Sequence, residues 1–182
     1  PTVSRHADRD ALLLELLWQS GGRVSEVVSL VPERIGRTSV VISNLKQKDR
    51  TAVKEVEISE DLCARLRQFA RSNHIGDGQF VFYANRDSMR PLRRGYVWEL
   101  LQALSKQVGI IKPGKRNRFS GKRYRGAYPH LFRHSNAMKL LEETGDIDLV
   151  RQQLGHASIR TTQVYAYTKK PKIRKEVARI QW

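Results

Sequence analysis

The chain has a single cysteine, Cys63, among 182 residues, so no disulfide framework and no cysteine zinc site can form within it. Acids are scarce: 18 against 34 lysines and arginines, a formal net charge of +16. An excess that large predicts attraction to a polyanion. Long apolar runs are missing too. The most apolar early stretch, ALLLELLW, is broken by Glu15 and is too short to span a bilayer. No amphipathic helix shows a clean basic face, so a membrane surface is not an expected partner. There is no signal-peptide pattern, no internal repeat and no low-complexity tail. These absences fit one domain with a real core, in a reducing, cytoplasmic compartment. Charge alone would also suit a basic structural or RNA-binding protein.

What the chain does have is concentrated between His130 and Tyr165. His130 and Arg133 are three apart, so on a helix they project from one face. Ala137, Met138, Leu140 and Leu141 continue that helix, Gly145 ends it, and Asp146 is placed to cap a second one over 147–154. Gly155 ends the second helix, and His156 sits just past it. Ser158 can cap a third short helix that carries Tyr165. Arginine meets phosphate with two parallel charge-assisted hydrogen bonds. Histidine exchanges protons near neutral pH, and tyrosine can form a covalent intermediate. Together the set suits attack on a nucleic-acid backbone without a metal or any other cofactor. Taken singly, each residue has a plainer reading as a cap, a surface residue or part of the core.

HLFRH, then LGH, then TTQVY, in that order and with an arginine block upstream, resembles the C-terminal half of the tyrosine recombinases, the phage-integrase family. The resemblance runs from about Ala11 to about Tyr167. It implies an α+β fold, mainly α with a small antiparallel sheet, as in the catalytic domain of that family. It also implies a 3′-phosphotyrosyl intermediate and strand exchange without ATP. In the implied roles Tyr165 is the nucleophile, with Tyr167 as its rival. Arg23 and Arg133 hold the non-bridging oxygens. His130 is the general base, and His156 donates to a phosphate oxygen.

In chain order, 1–10 reads as a linker remnant, and Ala11 to Trp18 as a leucine-dense helix stopped by Gly21-Gly22. Arg23 opens VSEVVSL, a second helix with Val24, Val27, Val28 and Val31 inward. GGRVSE resembles the family's first arginine block, which usually has a larger apolar residue at the position of Gly22. The smaller residue predicts looser packing beneath Arg23, and the paired glycines let a ligand approach the backbone. Glu26, one turn on, is a candidate to hold a catalytic side chain.

Thr38 to Asn44 and Val53 to Ser59 read as a β-hairpin with a basic tip at Lys46, Lys48 and Arg50. The resemblance implies a general-acid lysine on such a hairpin. Lys46 matches best, with Lys48 close behind. Ser59 can cap a helix over 60–71 that buries Cys63 beside Leu62 and Leu66. QFVFY reads as a short buried strand. Tyr96 to Val108 reads as an amphipathic helix, and in the resembled family it faces DNA, with Arg94 near its start.

From Lys112 to Arg125 there is no acid. Lys115, Arg116, Arg118, Lys122, Arg123 and Arg125 mark a basic loop expected to order on a phosphate backbone. Residues 169–182 read as a small amphipathic helix, which can fold back on its own core or, by analogy with the family, dock on a neighbouring subunit. The expected partners are double-stranded DNA and further copies of the chain, dimer to tetramer. The N-terminal DNA-clamping domain of the family has no counterpart here. Two rival readings share the fold: a DNA-binding module without chemistry, and a nicking-closing topoisomerase of the type that shares this chemistry.

Overall fold

The computed structural model describes residues 6–43, 53–85, 90–110 and 126–155. Helix α1 spans Ala7–Ser20, four residues earlier than its leucine run predicts. Leu12, Leu13, Leu16 and Leu17 recur on one face of it and are buried. Each fully buried leucine contributes about 1.5–3 kcal/mol. The supposed linker is therefore partly core. Arg9, 2 % exposed, donates to Asp10 Oδ1, the Tyr83 carbonyl and the Tyr96 hydroxyl.

Gly21 ends α1 in the left-handed conformation, φ +57°. A single helical turn, α2 (Val24–Val27), follows in place of the longer helix expected. All four valines nevertheless point inward. Pro32 begins a 3₁₀ turn, Pro32–Arg34, so the chain cannot extend α2 further. Strands β1 (Ser39–Ser43) and β2 (Val53–Glu57) pair antiparallel, with Val40 opposite Val56 and Ile42 opposite Lys54. The hairpin's basic tip, Lys46, Lys48 and Arg50, lies outside the described residues.

Helix α3 (Glu60–Ser72) starts as expected at Ser59, whose Oγ accepts from the Leu62 amide at 3.2 Å. Cys63 is buried in its apolar face, and burial pushes its thiol pKa up. QFVFY is not a strand. Val81 and Phe82 are buried as predicted, but the segment makes one isolated bridge, Tyr83 to Pro91. Among the described residues no strand pairs with it in register, so there is no ladder to extend. Helix α4 spans Arg94–Gln107 and buries Val97, Leu100 and Leu101.

Helix α5 (Pro129–Thr144) and helix α6 (Ile147–Leu154) form the pair read from the sequence. Gly145 is left-handed between them, and Asp146 accepts from the amides of Asp148 and Leu149. Ala137, Leu141, Val150 and Leu154 make a small core of their own. This pair is fastened to α1 by Asn136, whose Nδ2 donates to the carbonyls of Trp18 (2.9 Å) and Gln19 (3.0 Å). Trp18 meets Phe132 edge-on, with centroids 6.3 Å apart. No helix among the described residues is long and apolar enough to cross a membrane.

Candidate active site

Arg23 stands where α1 ends and α2 begins. Its backbone amide donates to Glu26 Oε2 (3.0 Å) and its Nη1 to Glu26 Oε1 (2.5 Å). Glu26 has no exposed side chain at all, whereas that of Arg23 is 19 % exposed. The carboxylate therefore fixes the guanidinium from beneath and leaves part of it accessible. Glu26 is also 3.3 Å from Lys54 Nζ. Burial alone would raise its carboxyl pKa. The Lys54 ammonium and the amide and guanidinium of Arg23 outweigh that, and the carboxyl ends below its ordinary range. The acid expected to hold a site residue does hold Arg23.

Arg133 reaches the same place from α5. It is 5 % exposed, with Nη1 donating to the Gly21 carbonyl (2.7 Å) and Nη2 to the Leu154 carbonyl (2.8 Å). Both acceptors are carbonyls at the C-terminal ends of helices, α1 and α6, where the last carbonyls have no intrahelical partner. Gly21 is two residues before Arg23, so the two arginines are tied through one short piece of backbone. Leu154 is two residues before His156, which itself lies outside the described residues.

The two glycines do not leave open space. A Cβ on Gly21 would come within 2.6 Å of Leu154 Cδ2 and 2.8 Å of Asn136 Oδ1. One on Gly22 would come within 2.7 Å of Val27 Cγ2 and 3.1 Å of Ile42 Cδ1. The packing beneath Arg23 is thus tight, not loose as the sequence suggested, because Val27 and Ile42 occupy the volume a larger residue would fill.

In front of Arg23 lies a pocket of about 400 Å³ lined by Gly22, Arg23, Val24, Ser25, Arg94, Gly95, Trp98, Pro129 and His130. His130 is exposed and Arg133 buried, three residues apart near the start of α5. Arg94 and Trp98 are one turn apart on α4 and form the opposite wall. Gln102 of α4 donates to the Ala127 carbonyl (2.7 Å), and Ser105 accepts from the Ala127 amide (2.7 Å). These bonds fasten the approach to α5 and so set the height of His130. A larger depression of about 920 Å³, lined by Arg9, Arg93 and Tyr96, draws on an arginine already bonded to Asp10, Tyr83 and Tyr96.

The structure thus brings together Arg23, His130 and Arg94 around one pocket, and ties Arg133 to it through Gly21. Tyr165, His156, Lys46, Lys48, Arg50, Lys115, Arg116, Arg118, Lys122, Arg123 and Arg125 lie outside the described residues. Lys54 is the residue the sequence reading passed over. It shares a face of β2 with the buried Val56, and a lysine on the inward face of a strand is the signal that could have found it.

Arg23 at the α1–α2 junction and Arg133 on α5 are tied together beside a pocket that His130 lines, on a scaffold that is mainly helical with one small hairpin among the described residues. The chain belongs to the phage integrase family, whose model matches residues 2–171. It is similar to the tyrosine recombinase XerD of Halalkalibacterium halodurans, 32 % identical over 171 residues, which cover 91 % of this chain and 52 % of that protein. It is also similar to the tyrosine recombinase XerC of Xylella fastidiosa strain M23, 31 % identical, with 92 % and 51 % covered. The chain spans about half the length of the curated relatives it matches.

Among solved structures, a XerH site-specific recombinase bound to its palindromic difH substrate, in a post-cleavage complex, aligns with a TM-score of 0.74 at 19 % identity. That alignment covers 98 % of this chain and 48 % of that one. The catalytic domain of bacteriophage HP1 integrase aligns at 0.57 and 20 % identity, covering 97 % and 84 %. The fold is that of tyrosine recombinase catalytic domains.

Proposed function

We propose that this chain is the catalytic domain of a longer site-specific DNA recombinase, cutting and rejoining strands through a 3′-phosphotyrosyl intermediate without metal or ATP. The observation that carries the reading is the coupling of Arg23 and Arg133 through Gly21 beside a pocket that His130 lines. Two guanidiniums set in advance offset the charge that grows on a phosphodiester under attack. In this reading the Tyr165 oxygen bonds to phosphorus and its proton passes to His130. The bond from phosphorus to the 5′ oxygen breaks, and that oxygen takes a proton from Lys46 or Lys48. His156 donates to a non-bridging oxygen. The basic segment with Lys115, Arg116, Arg118, Lys122, Arg123 and Arg125, together with Arg50 and Arg94, contacts the DNA backbone. The protein works in the cytoplasm, and copies of it assemble on DNA as dimers to tetramers.

A nicked suicide duplex tests this, using this chain and the longer protein that carries it, in EDTA. The duplex holds a site selected from a random-sequence library. A covalent adduct on a denaturing gel, lost in Tyr165→Phe, is expected. Arg23→Ala or Arg133→Ala should lower its rate about 100-fold or more, on the order of 3 kcal/mol. DNA binding with no adduct from the longer protein would instead indicate a binding module without chemistry. Relaxation of supercoiled plasmid by monomers would indicate a nicking-closing enzyme.

A further inference from the structure

Lys54 has no part in the cleavage chemistry proposed above, yet it is embedded among the groups that perform it. It stands on β2 opposite Ile42, with a side chain 9 % exposed. Its Nζ is 3.0 Å from the Leu154 carbonyl and 3.3 Å from Glu26 Oε2. Its stem lies against Gly155, where a Cβ would come within 2.6 Å of Lys54 Cδ. One acceptor, Glu26, also holds Arg23, and the other, the Leu154 carbonyl, also holds Arg133.

A lysine that merely filled a gap in the core would be a poor choice. Removing an ammonium from water is costly, and an apolar side chain of similar volume would usually be as stable or more so. What an ammonium does here that a methionine cannot is bond to both acceptors at once. We infer that Lys54 is a positioning residue for strand cleavage: by bridging Glu26 and the Leu154 carbonyl it holds Arg23, Arg133 and the Leu154–Gly155 turn in one fixed arrangement. The inference rests on the function proposed above.

The bridge responds to pH. Burial lowers the Lys54 pKa from 10.5 to about 8; Glu26 opposes the shift, while Arg133 and Arg23 add to it. Among the described residues those are the charged groups that face it, from the start of α2 and from α5. Helix α6 contributes a carbonyl, and its Arg151 and Asp148 pair with each other at 3.0 Å. β1 contributes the apolar Ile42. A phosphodiester arriving between the arginines adds negative charge and favours the protonated lysine.

The test compares wild type, Lys54→Met and Lys54→Arg in the longer protein. It measures single-turnover cleavage of the nicked duplex across pH, with circular dichroism melts to check folding. A second duplex carries sulfur in place of the 5′ leaving oxygen, which departs without needing a proton. Lys54→Met should slow cleavage by about 10-fold or more, leave DNA affinity within a factor of about two, and gain nothing extra from the sulfur duplex.

Lys54→Arg should keep most of the rate and move its alkaline fall upward, because a guanidinium stays charged at high pH. A wild-type rate in Lys54→Met overturns the inference. So does selective rescue by sulfur, which would make Lys54 the proton donor. If Lys54→Met does not fold, Lys54→Arg decides, and an unmoved pH profile overturns the inference. If wild type itself forms no adduct, the proposed function falls and the inference with it. An active wild type matched by Lys54→Met removes the inference alone.

Discussion

Lys54 and Arg133 donate to one carbonyl oxygen, that of Leu154, at 3.0 and 2.8 Å. Two cations on one acceptor repel, and Glu26 is the carboxylate that offsets them. The arrangement sets three cations, Lys54, Arg133 and Arg23, around Glu26 and the Leu154 carbonyl, an excess of positive charge. Burying that excess of charge is costly.

The cost appears as a pH dependence of stability. In the folded protein Lys54 releases its proton near pH 8, in the unfolded chain near 10.5. Between those values the unfolded state binds more protons, so folding stability rises with pH. Below pH 8 the penalty of burying the charged lysine is present in full. Glu26 acts at the other end of the scale: its stabilisation is present above the ordinary carboxylate range and is lost as pH falls through its lowered folded value. Urea denaturation of wild type and Lys54→Met should therefore give a stability difference that changes between pH 8 and 10.5. It should move in favour of wild type, at a slope of up to about 1.4 kcal/mol per pH unit. A difference flat across that interval would show that the lysine is not held as described.

Arg9 gives a prediction about stability alone. Its guanidinium joins Asp10, Tyr83 and Tyr96 and lies 5.1 Å from the Tyr96 ring centroid. Arg9→Ala takes the cation away from a buried carboxylate and should cost about 3–5 kcal/mol in denaturant melts. Arg9→Met combined with Asp10→Asn should cost clearly less. Equal losses would mean that the unpaired Asp10 carboxylate is not the source of the cost.

Gly22 gives a prediction about packing. Gly22→Leu, which installs a residue of the kind usual in the family, should destabilise by about 1–3 kcal/mol because Val27 and Ile42 already fill that volume. Adding Val27→Ala should recover part of the loss, and the two changes should be non-additive. If Gly22→Leu were neutral, the tight floor beneath Arg23 would be disproved.

Much of this site was legible because its parts are local. Asp146, Gly145 and Gly155 mark the α5–α6 pair by capping chemistry that depends on a few neighbouring residues. His130 and Arg133 are set on one helix by their spacing. The hairpin strands and the Ser59 cap were readable for the same reason. The QFVFY segment was misread because an apolar run shows burial but not whether a neighbouring strand exists to pair with it. The start of α1 was missed because Arg9 and Asp10 look like linker polarity until Tyr96, far along the chain, is brought against them.

The sequence by itself determined α3, α5 and α6, the caps at Ser59 and Asp146 and the two hairpin strands, since these follow from propensity, periodicity and short-range hydrogen bonding; the expected helices at Ser158 and over 169–182 lie outside the described residues. Only the tertiary structure decided what Lys54, Gly21 and Gly22 do. Lys54 is 100 residues from Leu154, and Arg133 is 112 from Gly21. A carbonyl left over at a helix end has no signature in the sequence. Which cation it receives depends on how α1, α5, α6 and β2 pack around it.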